Sequence, residues 1–214
     1  AVPAELIEKN FKLFKNISNE CTIINHGYKI HTKYNEKIKK NFSTFSYSNL
    51  SNSEIKNDII RANNVVNELP NQKKEFFRTP HFGEFCESNS MFLIYEIISE
   101  LNYKVSSSTT PIFSILNSPV YKSKNITEIP SSAYLDKPLQ IIDSWGIHSD
   151  ENLTYEKLFN EIDIYRSIME RKNFFLNLYF DPTDIINNDI FFKKIENLAV
   201  FQIMKADDIY EKKT

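Results

Sequence analysis

Two stretches decide the fold: Cys21-Thr22-Ile23-Ile24-Asn25-His26-Gly27-Tyr28-Lys29-Ile30-His31 and Phe76-Phe77-Arg78-Thr79-Pro80-His81-Phe82-Gly83. Each opens on a short apolar run of the length of a buried strand and then breaks into polar and turn-forming residues. Between them, Ser51-Asn52-Ser53-Glu54 matches a capping box. Behind it Ile55, Ile59, Ala62, Val66 and Leu69 mark one face of a helix that Pro70 ends. The unit is therefore strand, polar loop, helix, strand, polar loop.

The pattern extends both ways. Residues 4–16 have near-helical apolar spacing, and residues 32–50, rich in Lys and Ser, read as a long loop. Residues 90–102 form a second helix, with Phe92, Leu93, Ile97, Ile98 and Leu101 inward, leading to a short strand at Val105. Residues 112–150 read as irregular apart from a strand at Ile126-Thr127-Glu128-Ile129, and they hold a lone Trp145 that reads as a loop residue. A helix from Thr154 to Arg171 buries Leu158, Ile162, Tyr165 and Met169. An apolar strand from Phe174 to Phe180 then stops at Asp181-Pro182. A short helix at 189–196, a strand from Leu198 to Ile203 and a charged helix at 205–213 complete the chain. Six or seven strands separated by helices indicate an α/β fold with a parallel sheet or barrel, whose chemistry collects at the C-terminal strand ends.

Composition bounds the function. The 214 residues suit one domain, and 41% hydrophobic residues suffice for a core. A net charge of −2 argues against a dedicated nucleic-acid or anionic-membrane binder. No apolar run reaches the roughly 18 residues of a membrane span. The opening Ala1-Val2-Pro3-Ala4 lacks the charged and apolar regions of a signal peptide, which favours the cytoplasm, and it lacks an initiator Met, which suggests a processed or truncated chain. Cys21 and Cys86 have no metal-type spacing and read as a reduced, mostly buried pair. Only three glycines occur, against a usual ~7%, and each lies within two residues of a histidine.

Four constellations carry chemistry. His26 and His31 follow a strand, and Gly27 permits a turn that brings the imidazoles together; they are metal ligands or incidental loop histidines. Arg78, at the next strand end, either forks onto a carboxylate or caps the strand, with Pro80 fixing the backbone and His81 able to touch a ligand. Asp181 is a base, a ligand or a helix cap. In Ser144-Trp145-Gly146-Ile147-His148, the indole is a sugar-stacking wall or a core anchor.

Taken together, the segments from Thr22 to Gly83 resemble the polysaccharide deacetylase (NodB-homology) superfamily. That family has a His-x3-His metal motif after one strand and an Arg-x-Pro motif after the next, in some members Arg-Ala-Pro-His-Phe-Gly. Leu101-Asn102-Tyr103-Lys104-Val105-Ser106-Ser107-Ser108 looks like its following helix-to-strand segment. The resemblance implies a deformed (β/α) barrel over residues 1–214 as a single domain, without the family's first strand. It implies metal-dependent hydrolysis of N-acetyl groups on an aminosugar-containing carbohydrate, with zinc as the usual metal. On this basis His26 and His31 are metal ligands, and Arg78 orients the catalytic base. Asp181 stands where the family has its catalytic-acid histidine, with His148 as a substitute. Pro80, His81, Phe82 and Trp145 line the sugar groove. The chain departs from the family in three ways. The family's opening Thr-Phe-Asp-Asp-Gly is absent, the histidines are one residue further apart, and the late Leu-x-His is replaced by Phe180-Asp181. The alternatives are a catalytically impaired carbohydrate-binding relative and a divergent hydrolase of another non-peptide C–N bond.

Overall fold

The computed structural model describes residues 1–35, 37, 40–71, 75–81, 87–149, 152–169, 171, 176–181, 184 and 188–198. The chain divides into two compact units. One comprises Ala1–Thr109 and Val120–Ile129, the other Thr110–Pro119 and Pro130–Thr214.

The first unit opens with two helices, α1 (Ala4–Lys9) and α2 (Phe11–Ile17), where the spacing predicts one. Asn10 makes the break. Its backbone leaves the helical region (φ −132°, ψ 39°), and its side-chain amide donates to the Leu6 carbonyl at 3.1 Å. Asparagine competes in this way with the helical ladder for backbone partners. The expected long loop contains an antiparallel hairpin, β1 (Thr32–Asn35) with β2 (Lys40–Ser43), followed by a 3-10 turn at Tyr47–Asn49. Helix α3 (Asn52–Asn67) carries the full capping box: Ser51 Oγ accepts from the Glu54 amide, and Glu54 Oε2 accepts from the Ser51 amide. All five residues expected on its inner face are buried. Ile55 and Ile59 pack into one cluster with Phe77, Ile94, Ile98 and Ile126. Ala62, Val66 and Leu69 pack into another with Ala4, Ile7, Ile23 and Tyr28. One amphipathic helix thus serves both halves of the unit's core.

Strand β3 (Phe76–Phe77) leads to α4 (Ser88–Glu100) and then to β4 (Val105–Ser106). Ile97 and Ile98 are buried on α4 as expected, whereas Phe92, expected inward, is exposed, and Met91, Ile94 and Tyr95 share the buried face. Strands β5 (Tyr121–Ser123) and β6 (Ile126–Glu128) complete a four-stranded sheet of order β3-β4-β6-β5. β3, β4 and β6 are parallel, and β5 is an antiparallel edge. Single parallel bridges join Val2 to Asn25 and Asn25 to Phe77, so the strand expected at 21–24 is reduced to one paired residue. Val2, Asn25, β3, β4 and β6 therefore stand parallel and in chain order.

The second unit contains α5 (Pro111–Leu116), α6 (Trp145–Ser149), α7 (Tyr155–Met169) and α8 (Asp189–Leu198). Two of these helices fall in the stretch 112–150 that reads as irregular. Trp145 is accordingly the first residue of a helix, not a loop residue. The unit's core gathers Tyr134, Ile142, Leu153, Leu158, Ile162, Tyr165 and Phe191. A parallel bridge pairs Asp143 with Tyr179, near the end of the expected 174–180 strand. Leu198 closes α8 where the sequence suggests a new strand. The rest of that strand and the 205–213 helix lie outside the described residues, as does Cys86. Cys21 is exposed rather than buried. Among the described residues, no helix is long and apolar enough to cross a membrane.

Candidate functional site

The loop after Asn25 is held donor by donor. Four consecutive amides each find a side-chain oxygen. Gly27 donates to Asn25 Oδ1 (3.0 Å), Tyr28 to Asp58 Oδ2 (2.8 Å), Lys29 to Asp58 Oδ1 (3.2 Å) and Ile30 to Glu5 Oε2 (3.1 Å). Asp58 Oδ2 also accepts from the Tyr47 hydroxyl at 2.9 Å. Asp58 lies on the buried face of α3, so the helix that builds the core also fixes the loop. Gly27 adopts φ +72°, and a Cβ there would stand 2.7 Å from both Asp58 Oδ2 and Tyr47 Oη. The glycine is thus needed both for the turn and for the close approach.

This turn brings the histidines together despite their wider spacing. The His26 and His31 ring centroids are 4.6 Å apart with planes at 84°, and His31 and His81 are 4.8 Å apart at 81°. His26 Nδ1 is 2.9 Å from the Arg78 carbonyl. A carbonyl only accepts, so Nδ1 carries the proton and Nε2 keeps its lone pair. His81 Nε2 meets the His31 carbonyl at 3.1 Å and Ser43 Oγ at 2.9 Å, which ties the β1–β2 hairpin to the cluster. His81 itself sits at φ +57°. Burial, then the neighbouring His31, hold His26 well below the ordinary imidazole pKa. Burial, then His81, push His31 down to about 4. Both rings are therefore neutral at pH 7.

Neutral imidazole is the ligand form for a divalent metal. The donor proton on His26 Nδ1, fixed by a carbonyl, is the outer-shell arrangement that ligating histidines use. His31 Nδ1 is buried with no hydrogen-bond partner. These two imidazoles fit the histidine share of a metal shell. Among the described residues, no group of three or more His, Cys, Asp or Glu side chains is arranged to hold a metal ion.

Arg78 is buried, not an exposed cap. Its Nε donates to the Ser107 carbonyl (3.0 Å) and its Nη2 to Ser107 Oγ (2.8 Å). The Thr79 amide donates to Ser108 Oγ at 3.0 Å. Pro80 is buried, with its Cγ 3.1 Å from the place a Gly27 Cβ would take. His26, His31, Arg78, Pro80 and His81 are thus gathered at the C-terminal ends of neighbouring parallel strands. Phe82 lies outside the described residues.

In the second unit the structure joins two further constellations. The Asp181 amide donates to the buried Ser144 Oγ at 2.8 Å, next to the partly buried Trp145. The Gly146 amide donates to Asp143 Oδ1 at 2.6 Å. Burial raises the Asp143 carboxyl to about 6, with Asp181 and Asp184 pushing the same way and the Gly146 amide opposing them. The Tyr155 hydroxyl donates to Asp184 Oδ1 at 3.1 Å. Asp143 therefore exchanges its proton near neutrality beside a second carboxylate. His148 lies in α6, and its side chain is outside the described residues.

Sequence reading missed Asp58 and Asp143. Each had a signal: Asp58 falls three residues after Ile55 on the apolar face of α3, and Asp143 directly follows Ile141-Ile142. Compared with known proteins, the chain matches no family model, no curated protein and no solved structure.

Proposed function

We propose that this chain is a polysaccharide deacetylase-like protein on a deformed (β/α) barrel, which removes N-acetyl groups from an aminosugar-containing carbohydrate with a divalent metal, preferentially zinc. The observation that carries this reading is the gathering of His26, His31, Arg78 and His81 at the ends of strands that run parallel in chain order. His26 and His31 would hold the metal through neutral imidazole nitrogens. The chemistry such a metal supplies is polarisation of the acetamide carbonyl and activation of a water. His81 offers a ring surface to the sugar.

The test is zinc content after dialysis, read beside acetate release from an N-acetylated oligosaccharide. Stoichiometric zinc that disappears in His26→Ala, together with acetate release, supports the proposal. Absence of zinc at micromolar supply overturns it. A second reading, a carbohydrate-binding relative without catalysis, is favoured by the wider spacing of His26 and His31 and by Asp181 in place of the late histidine. Oligosaccharide binding without zinc or acetate release would select it. Acetate-free hydrolysis of small cyclic amides would select another C–N hydrolase.

A further inference from the structure

We infer that Glu128, a buried carboxylate on β6, is a positioning residue that sets the tautomer of His26 from three strands away. Glu128 is fully buried. Its Oε1 accepts from the Ser108 amide (2.8 Å), the Thr109 amide (2.9 Å) and the Thr109 hydroxyl (2.9 Å). Three donors on one oxygen clamp the segment that leaves β4. That segment in turn holds the end of β3: Ser107 accepts from Arg78 Nε and Nη2, and Ser108 Oγ accepts from the Thr79 amide. Arg78 then presents its carbonyl to His26 Nδ1 at 2.9 Å. Each link joins neighbouring parallel strands, so the carboxylate fixes where the Arg78 carbonyl points. That carbonyl decides which imidazole nitrogen carries the proton.

The other oxygen, Oε2, is buried outside this three-donor clamp, and the Tyr95 hydroxyl lies close enough to the carboxylate for its own pKa to be raised by it, after burial. This asymmetry makes the role testable by substitution. In Glu128→Gln the amide oxygen can replace Oε1, and the NH₂ takes the place of Oε2. Glu128→Ala removes the clamp. The metal arm of the test rests on the function proposed above; the tautomer arm does not.

The experiment is long-range ¹H–¹⁵N correlation of the histidine rings in the full, metal-free chain, followed by zinc titration. In the wild type, His26 shows a protonated Nδ1 and an unprotonated Nε2. In Glu128→Ala that pattern moves toward a tautomer mixture and zinc affinity falls at least tenfold, as for loss of an outer-shell partner. Glu128→Gln restores both. Ser108→Ala, which leaves the Glu128 clamp on the backbone but frees the Thr79 amide, shifts the His26 pattern in the same direction, and Glu128→Asp, which withdraws the acceptor from the Ser108 and Thr109 donors, decides the matter if Glu128→Ala does not fold. An unchanged His26 pattern in folded Glu128→Ala, or in Ser108→Ala, overturns the inference, as does Glu128→Gln behaving like Glu128→Ala. A wild type that binds no zinc, yet shows these shifts, overturns the metal function and leaves the positioning role standing.

Discussion

Gly27→Ala tests the physical account of the histidine loop most directly. Two costs add at this position. A non-glycine residue at φ +72° pays the left-handed penalty of about 1–2 kcal/mol. The new Cβ also lands 2.7 Å from Asp58 Oδ2 and 2.7 Å from Tyr47 Oη, both buried, and 3.1 Å from Pro80 Cγ. Relief requires moving a carboxylate that accepts from the Tyr28 and Lys29 amides and the Tyr47 hydroxyl. Losing one such charge-assisted bond costs about 1.5–3 kcal/mol. The expected loss is therefore about 3–5 kcal/mol, a large share of a typical domain's 5–15 kcal/mol. Urea unfolding followed by far-UV circular dichroism measures it through the shift in midpoint at constant slope. Gly146→Ala serves as the comparison. Its Cβ would also meet a carboxylate, Asp143 Oδ1 at 2.7 Å, but its φ is not positive, so only the steric part applies. A Gly27→Ala loss below about 1 kcal/mol, or one no larger than that of Gly146→Ala, would refute the reasoning.

Three further outcomes follow from the same geometry. Acidification should act with opposite sign on the two units of the metal-free protein. His31, with its folded pKa near 4, contributes stability above the unfolded value of 6.5 that drains as pH falls: roughly 2 kcal/mol between pH 7 and 5, with His26 adding to it. Asp143, raised to about 6, gains roughly 1 kcal/mol over the same range, because the folded state binds the proton more tightly. Peptide-resolved hydrogen exchange should show protection falling around residues 25–31 and holding or rising around 141–146; parallel changes would contradict the assigned causes. Asp143→Asn, which keeps an acceptor for the Gly146 amide, should stabilise the protein by about 3 kcal/mol at pH 8 and by about half as much at pH 5. A pH-independent effect would remove burial of the charge as its origin. Ser51→Ala should cost about 1 kcal/mol in thermal or urea unfolding, because it removes the Oγ acceptor of a complete capping box.

What the sequence disclosed and what it hid have one physical division. Helix α3 was legible because its signals are local: a cap, a period and a proline stop within twenty residues. The strand ends at Asn25 and Phe77 were legible because short apolar runs break into turn residues there. The β1–β2 hairpin was not, since Thr-Lys-Tyr-Asn and Lys-Asn-Phe-Ser carry no alternation strong enough to distinguish strand from loop, and their pairing is set by contacts to His31 and His81. The missed residues of the site share a different cause. Asp58, Glu128 and Asp143 each interrupt or terminate an apolar pattern, and pattern reading passes over the exception. Yet a buried carboxylate must be met by donors, and the donors available near a strand end are the amides of the loop that follows it. Asp58 takes two amides of the 26–31 loop, Glu128 two of the 107–109 segment, and Asp143 one at 146. A lone carboxylate inside an apolar run is thus a statement about a loop elsewhere: it marks which stretch of backbone the fold needs to hold still. In the first unit those held stretches carry His26, His31, Arg78 and Thr79, so the acids absent from the motif reading are the ones that make the motif residues converge.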